Sequence, residues 1–273
     1  MERNVIGIFD SGVGGLTVLK ELLGLLPNSS YIYFADTLNC PYGPKGPSEI
    51  IRLSTAITDF LIKQGCSIIV VACNTATAAA IDYLRANYSV PFVGMEPAVK
   101  PAALASKTKS IGVLATKGTF EGRLYQETTS KYANNINICY QIGSGLVELV
   151  EQGKSDSCEA KKLLKKYISP MLKKDIDHLV LGCTHYPFFI PALTDILPKN
   201  ITIVNPAPAV AKQTAKVLAE MQKPTDCNNG EESFVQFYSS GSTETLNTLV
   251  SKIEQDTGTL FRNKSFKGHI LFL

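Results

Sequence analysis

No pair of cysteines in this chain has CxxC spacing, and its seven cysteines (40, 66, 73, 139, 158, 183 and 227) are an odd number without framework spacing. That excludes a disulfide scaffold or a structural zinc ribbon and leaves reduced thiols. There is no window of about 18 continuous apolar residues to span a bilayer, and no long apolar stretch follows the charges of Glu2 and Arg3, as a secretory leader requires. Neither a membrane partner nor export is expected, and the expected location is the cytoplasm. The formal charge is only +3 and no basic cluster is interleaved with aromatics, which argues against a nucleic-acid partner. Of the three histidines, His178 and His185 do not stand at zinc spacing from Cys183, no carboxylate pair accompanies them, and His269 carries no signal, so no metal is expected.

What is present is a 273-residue chain, 45% apolar, with 20 Gly and 14 Pro, enough to bury a real core in one large or two ordinary domains. Val5–Phe9 reads as a short strand ending in Asp10-Ser11-Gly12-Val13-Gly14-Gly15, with an amphipathic helix from Leu16 towards Leu26. Tyr31–Phe34 is the next strand, followed by Asp36 and a loop rich in proline and glycine through Cys40-Pro41-Tyr42-Gly43. Ser48 is placed to cap the helix beyond it, which Gly65 stops. The run Ile68–Val71 leads to Cys73-Asn74-Thr75, then an Ala-rich helix near 77–86 and a strand at Val90–Gly94. Alternation of strands and helices predicts parallel sheets.

The pattern then repeats. Ser110–Ala115 followed by Thr116-Lys117-Gly118-Thr119 echoes the first strand and its loop at an offset of 105 residues from Ile6. Asn135–Cys139 stands where the second strand belongs, Leu179–Gly182 followed by Cys183-Thr184-His185 lies 110 residues after the Cys73 strand, and Ile201–Val204 echoes Val90–Gly94. Two similar α/β halves follow, with the boundary near 98–108 and the second ending near 206. Beyond them come a helix at about 208–221, a polar stretch at Pro224–Glu232, the strand Phe234–Tyr238 with Ser239-Ser240-Gly241, and a helix near Glu244–Gln255; this tail can complete the sheet of one half.

Open α/β sheets hold ligands beyond the carboxyl ends of their strands. If the halves face each other across a cleft, Cys73 and Cys183 approach one ligand from opposite sides. Two opposed acid/base groups fit a reaction in which a proton leaves one face of a carbon and arrives on the other, which is racemisation or epimerisation. A thiolate serves because its pKa, near about 8.5, can be tuned by neighbours, and in each direction one sulfur must be thiolate and the other thiol. The competing reading is a pair of buried structural thiols. Asp10 can orient a base or be an ordinary turn residue, His185 can set the protonation of Cys183, and Pro41-Tyr42-Gly43 is either a turn or a loop whose amides face a carboxylate.

In this order and spacing, Asp10-Ser-Gly-Val-Gly-Gly15, Pro41-Tyr42-Gly43, Cys73-Asn74-Thr75-Ala76, Glu151 in Val150-Glu151-Gln152-Gly153, Gly182-Cys183-Thr184-His185-Tyr186-Pro187 and Tyr238-Ser-Ser-Gly241 resemble the bacterial glutamate racemases over nearly the whole chain. The resemblance implies cofactor-independent, two-thiol interconversion of L- and D-glutamate, supplying D-glutamate for peptidoglycan. It implies two Rossmann-like parallel-sheet α/β domains related by internal pseudo-symmetry, residues 1–98 with the returning tail 207–273 and residues 99–206, with the active site in the cleft between them, and a homodimer. Cys73 then serves D-glutamate with Asp10 assisting, and Cys183 serves L-glutamate with His185 and Glu151. Asp10, Ser11, Asn74, Thr75, Thr184 and His185 would bind the amino and α-carboxylate groups, and Pro41, Tyr42, Gly43, Thr116 and Thr119 the side-chain carboxylate. The lack of a long extension before Val5 points away from members that answer to a cell-wall precursor activator.

Two rivals follow from the same residues. A related aspartate racemase would share the paired cysteines, although the Asp-Ser-Gly-x-Gly-Gly and Pro-Tyr-Gly set favours glutamate. A dinucleotide-binding module would use Gly12–Gly15 as a phosphate loop and Asp36 as a ribose acceptor. It fits poorly, because Thr17 replaces the last glycine and Asp10 would repel a pyrophosphate.

Overall fold

The computed structural model describes residues 4–133, 135–221, 233–257 and 263–270. Its first portion runs β1 (Val5–Asp10), α1 (Leu16–Leu25), β2 (Ser30–Ala35), α2 (Pro47–Lys63), β3 (Cys66–Val71), α3 (Asn74–Asn87), β4 (Phe92–Gly94) and α4 (Val99–Ala105). Then come β5 (Ser110–Ala115), α5 (Lys117–Glu121), α6 (Arg123–Tyr132), β6 (Asn137–Ile142), α7 (Leu146–Glu151), α8 (Cys158–Leu172), β7 (His178–Gly182), α9 (Ile190–Ile196) and β8 (Thr202–Val204). The last portion is α10 (Ala207–Glu220), β9 (Val235–Ser239), α11 (Glu244–Thr257) and β10 (Ser265–Lys267).

Two sheets form, both parallel throughout: β10-β9-β2-β1-β3-β4 and β6-β5-β7-β8. The order β2-β1-β3-β4 in the first is matched by β6-β5-β7-β8 in the second, so the repeat read from sequence is a repeat of strand order. This is an α/β architecture of two parallel-sheet domains, and β9 of the tail pairs with β2 of the first sheet.

Each central strand buries both faces, which is why the runs are apolar without gaps. In β1 and β3, Ile6, Ile8, Ile68 and Val70 point into the cluster under α1 and α10, while Phe9, Ile69 and Val71 point into that under α2 and α3. The first of these clusters continues into the second half through Leu114, Leu146, Leu179 and Leu181.

Several expectations need correction. Helix α2 begins at Pro47, after an extended Gly46 with no side-chain cap, so Ser48 lies inside the helix rather than capping it. Proline is suited to that first position because the N–H it lacks would have had no partner. Strand β6 starts at Asn137, two residues later than the reading from sequence, because its register is set by Ser110 pairing with Asn137. Strand β10 has no counterpart in the reading from sequence, and helices α4 to α9, expected there only as part of the repeated α/β pattern, take their bounds from the structure. The polar stretch at Pro224–Glu232, with Cys227, lies outside the described residues.

Candidate active site

The residues that carry the sequence pattern sit where strands end and the chain turns. β1 ends in Asp10, which is fully buried. One carboxylate oxygen accepts the Ser11 N–H at 2.7 Å and the other the Gly15 N–H at 2.7 Å, so the loop of small residues wraps around the charge. Thr184, from beyond β7, donates its hydroxyl to Asp10 at 3.3 Å. Burial pushes the Asp10 carboxyl up, and the charge of Glu151 adds to this, against the opposite pull of His185.

Beyond β3, Cys73 is the N-cap of α3, and its sulfur accepts the Ala76 N–H at 3.4 Å. A helix N-terminus favours the thiolate. The Cys73 thiol also lies 3.7 Å from the Ser11 hydroxyl oxygen, to which it donates. Burial nevertheless pushes this thiol well up, the Asp10 charge adds to the shift, and Cys183 is near enough to contribute. Burial and the Asp10 charge thus both favour the protonated thiol at Cys73.

Cys183 is placed the same way after β7. Its sulfur lies 3.8 Å from His185 Nδ1, and the other ring nitrogen, Nε2, is 2.6 Å from Glu151 Oε1. The same Glu151 oxygen accepts the Val13 N–H at 2.7 Å, so α7 of the second half is docked onto the glycine loop of the first. Burial works against a charge on His185, but hydrogen bonds with Cys183, Cys40 and Glu151 and the field of Asp10 outweigh it, holding the imidazole well above its ordinary value. An imidazolium can supply a proton to a neighbouring group.

Two glycines make this contact possible. A Cβ on Gly14 would stand 2.3 Å from His185 Nδ1, and one on Gly12 would stand 1.9 Å from Glu151 Oε1. Glycine is required at both positions by close approach, not by backbone angle.

Threonines join the halves on another side. Thr75 at the start of α3 shares a 2.9 Å hydrogen bond with Thr116, and Thr116 shares another of 2.9 Å with Thr119. Thr116 also caps α5, and Gly43 lies against it. Pro41, Gly43 and Thr116 line one cavity of about 320 Å³. The Oδ1 of Asn74 is buried and accepts no hydrogen bond among the described residues, which leaves a polar atom ready for an incoming donor. The buried Tyr42 hydroxyl donates to Asp36 at 2.6 Å and so anchors the loop.

Asp36 also accepts from Asn39 at 2.9 Å, and with both oxygens engaged in its own loop it is not available as a ribose acceptor. That removes the observation behind the dinucleotide reading. Tyr238–Gly241 supports the same loop from the tail, through Ser239 Oγ with Thr37 Oγ1 at 2.7 Å and the Leu38 N–H to Ser240 Oγ at 3.0 Å. One residue of the cluster escaped the sequence reading. Cys40 places its sulfur with Glu151 and His185, all three donor atoms within 4.8 Å of one another. Its only sequence signal is its position directly before Pro41-Tyr42-Gly43.

A family profile described as Asp/Glu/Hydantoin racemase matches residues 15–214. The chain belongs to the Asp/Glu/Hydantoin racemase family. Within the family, the chain is 46% identical over 219 residues to the glutamate racemase of Herpetosiphon aurantiacus, 80% of this chain and 86% of that one. It is 40% identical over 258 residues to the glutamate racemase of Pseudomonas putida, 94% and 96% of the two chains. Among solved structures, Escherichia coli glutamate racemase in complex with L-glutamate and the activator UDP-MurNAc-Ala superimposes with a TM-score of 0.83 at 30% identity, over 98% of each chain. The chain is an amino-acid racemase by this membership, and its isomerase chemistry is that of the racemase family.

Proposed function

We propose that this racemase interconverts L- and D-glutamate by a two-thiol mechanism with no cofactor. The observation that carries the reading is the pair of strand-end thiols with separate polar partners, Cys73 with Ser11 and beside Asp10, and Cys183 with His185 and Glu151. The glutamate racemases named above support the choice of substrate.

In the direction from L-glutamate, Cys183 as thiolate removes the α-proton while Cys73 as thiol delivers one to the opposite face; the reverse direction exchanges the roles. His185, held charged by Glu151, stabilises the Cys183 thiolate, and Asp10 takes up the Cys73 proton when that sulfur must act as base. The α-amino and α-carboxylate groups contact Asp10, Ser11, Asn74, Thr75 and Thr184, and the side-chain carboxylate lies among the backbone of Tyr42 and Gly43 and the hydroxyls of Thr116 and Thr119. Neutral hydroxyl and amide donors aimed at the α-carboxylate stabilise the carbanionic transition state without quenching the thiolate. Supply of D-glutamate to peptidoglycan, a cytoplasmic location and a homodimer follow from the same family reading.

The test is a circular-dichroism assay on purified protein without added cofactor. L-glutamate is expected to lose its optical signal, and in deuterated water the product enantiomer takes solvent deuterium at its α-carbon. No change with L-glutamate beside activity on L-aspartate would overturn the glutamate assignment.

A further inference from the structure

Glu151 and His185 both have a role in the reading above, and Cys40 enters it only as a hydrogen-bond partner of His185. Yet the Cys40 sulfur, a Glu151 carboxylate oxygen and a His185 ring nitrogen lie within 4.8 Å of one another. They come from three distant parts of the chain: the loop between β2 and α2, the end of α7 and the turn after β7. We propose that these three side chains form an inhibitory zinc site which, when filled, clamps the two halves together and takes His185 out of catalysis.

A thiol, an imidazole and a carboxylate are the ligand types zinc prefers, and three protein ligands leave a fourth tetrahedral position for water. Donor atoms around a tetrahedral zinc stand roughly 3–4 Å apart, so opening the His185–Glu151 contact and drawing the sulfur in are side-chain movements rather than changes of fold. Gly12 makes room for the cluster. A Cβ there would stand 1.9 Å from the Glu151 oxygen and 3.1 Å from the Cys40 sulfur. Cys40 is partly exposed, so solvent reaches one of the three ligands.

On binding, the Cys40 thiol and the His185 imidazolium each release one proton to solvent, the thiolate sulfur donates to zinc, and His185 gives Nε2 to the ion as a neutral ring. The Nε2 hydrogen bond to Glu151 breaks, and the imidazolium beside Cys183 is lost. Loss of turnover rests on the proposed racemase mechanism; binding of the metal does not.

Cobalt(II) serves as the spectroscopic probe in the metal-free, full-length protein, because a thiolate ligand gives a near-ultraviolet charge-transfer band. One ion per chain with that band is expected for the wild type, for Cys73→Ser and for Cys183→Ser, and no such band for Cys40→Ser. Zinc should inhibit racemisation reversibly, with a chelator restoring the rate. Cys40→Ser, its fold checked by far-ultraviolet circular dichroism and its inhibition measured against its own metal-free rate, should need at least about tenfold more zinc for the same fractional inhibition. Absence of the band in the wild type, or its survival in Cys40→Ser, overturns the site. Zinc inhibition unchanged by Cys40→Ser overturns the inhibitory role even if racemase activity is normal.

Discussion

His185 and Glu151 share a 2.6 Å hydrogen bond, from Nε2 to Oε1, that joins the turn after β7 to the end of α7. The opposite ring nitrogen is 3.8 Å from the Cys183 sulfur, so the imidazole stands between the carboxylate and the thiol. Glu151→Gln removes the charge and leaves the shape. The His185 pKa should fall towards its ordinary value, visible by NMR titration, and the rate from L-glutamate should drop more than the rate from D-glutamate. A charge-assisted hydrogen bond of this kind contributes about 1.5–3 kcal/mol, and chemical denaturation of the variant should show a loss of that order. Equal kinetic effects in both directions would contradict the assignment of this pair to the Cys183 side.

The folded protein should lose stability as pH rises. His185 has its folded pKa raised, so its stabilisation is fully present below the unfolded value of about 6.5 and is lost as pH climbs through the folded one. The raised values of Asp10 and Cys73 act with the same sign, because the native state holds protons that the unfolded chain releases at lower pH. Urea midpoints measured from near neutral into the alkaline range should decline, and the decline should be shallower in Glu151→Gln. A flat profile would show that these groups titrate alike in both states.

Replacing either thiol should stop racemisation. Cys73→Ser and Cys183→Ser are each expected to lower turnover by about 10²–10⁴-fold or more in both directions, with far-ultraviolet circular dichroism unchanged. Near-normal turnover in either variant would remove the two-base mechanism.

Gly14→Ala tests the close approach to His185. The added methyl carbon would begin 2.3 Å from Nδ1, so the imidazole must swing away from Cys183. A fall in kcat of at least about tenfold is expected, since small displacements of a catalytic group carry costs of this size. Gly24→Ala, where a Cβ meets nothing within 4 Å, is the control and should leave kcat unchanged.

Thr116→Ala tests the proposed side-chain carboxylate pocket. It cuts the hydroxyl chain from Thr75 through Thr116 to Thr119 and should raise KM for both enantiomers by about ten- to a hundredfold, the worth of a hydrogen bond to a charged group. A lower kcat with unchanged KM would place Thr116 elsewhere in the reaction.

The central strands of both sheets were legible because they are apolar on both faces and end abruptly: Ile68–Val71 stops before Cys73-Asn74 in the first, and Leu179–Gly182 before Cys183-Thr184 in the second. The order of the repeated strands could be read from offsets in sequence. Helices around the second sheet were harder. α6 buries no residue and has no strong apolar stripe to announce it, and α5 is only five residues long. In α8 the buried Ala160, Leu164, Ile168 and Met171 do keep helical spacing, with Pro170 interrupting the pattern near its end. The anchoring of the Tyr42 hydroxyl on Asp36 was not legible, because that contact is fixed by loop folding and not by a periodic signal.

The sequence by itself determined the alternation of strands and helices, the duplication and the residue types at each strand end, because those depend on local periodicity and on short turns rich in glycine and proline. Only the tertiary structure decided which side chains meet. Glu151 reaches both Val13 and His185, and Cys40 joins Glu151 and His185 from a loop more than 100 residues away from either in sequence. Such contacts depend on how two sheets dock through a shared apolar cluster and on how closely glycines let the chains approach, and distance along the chain does not encode either.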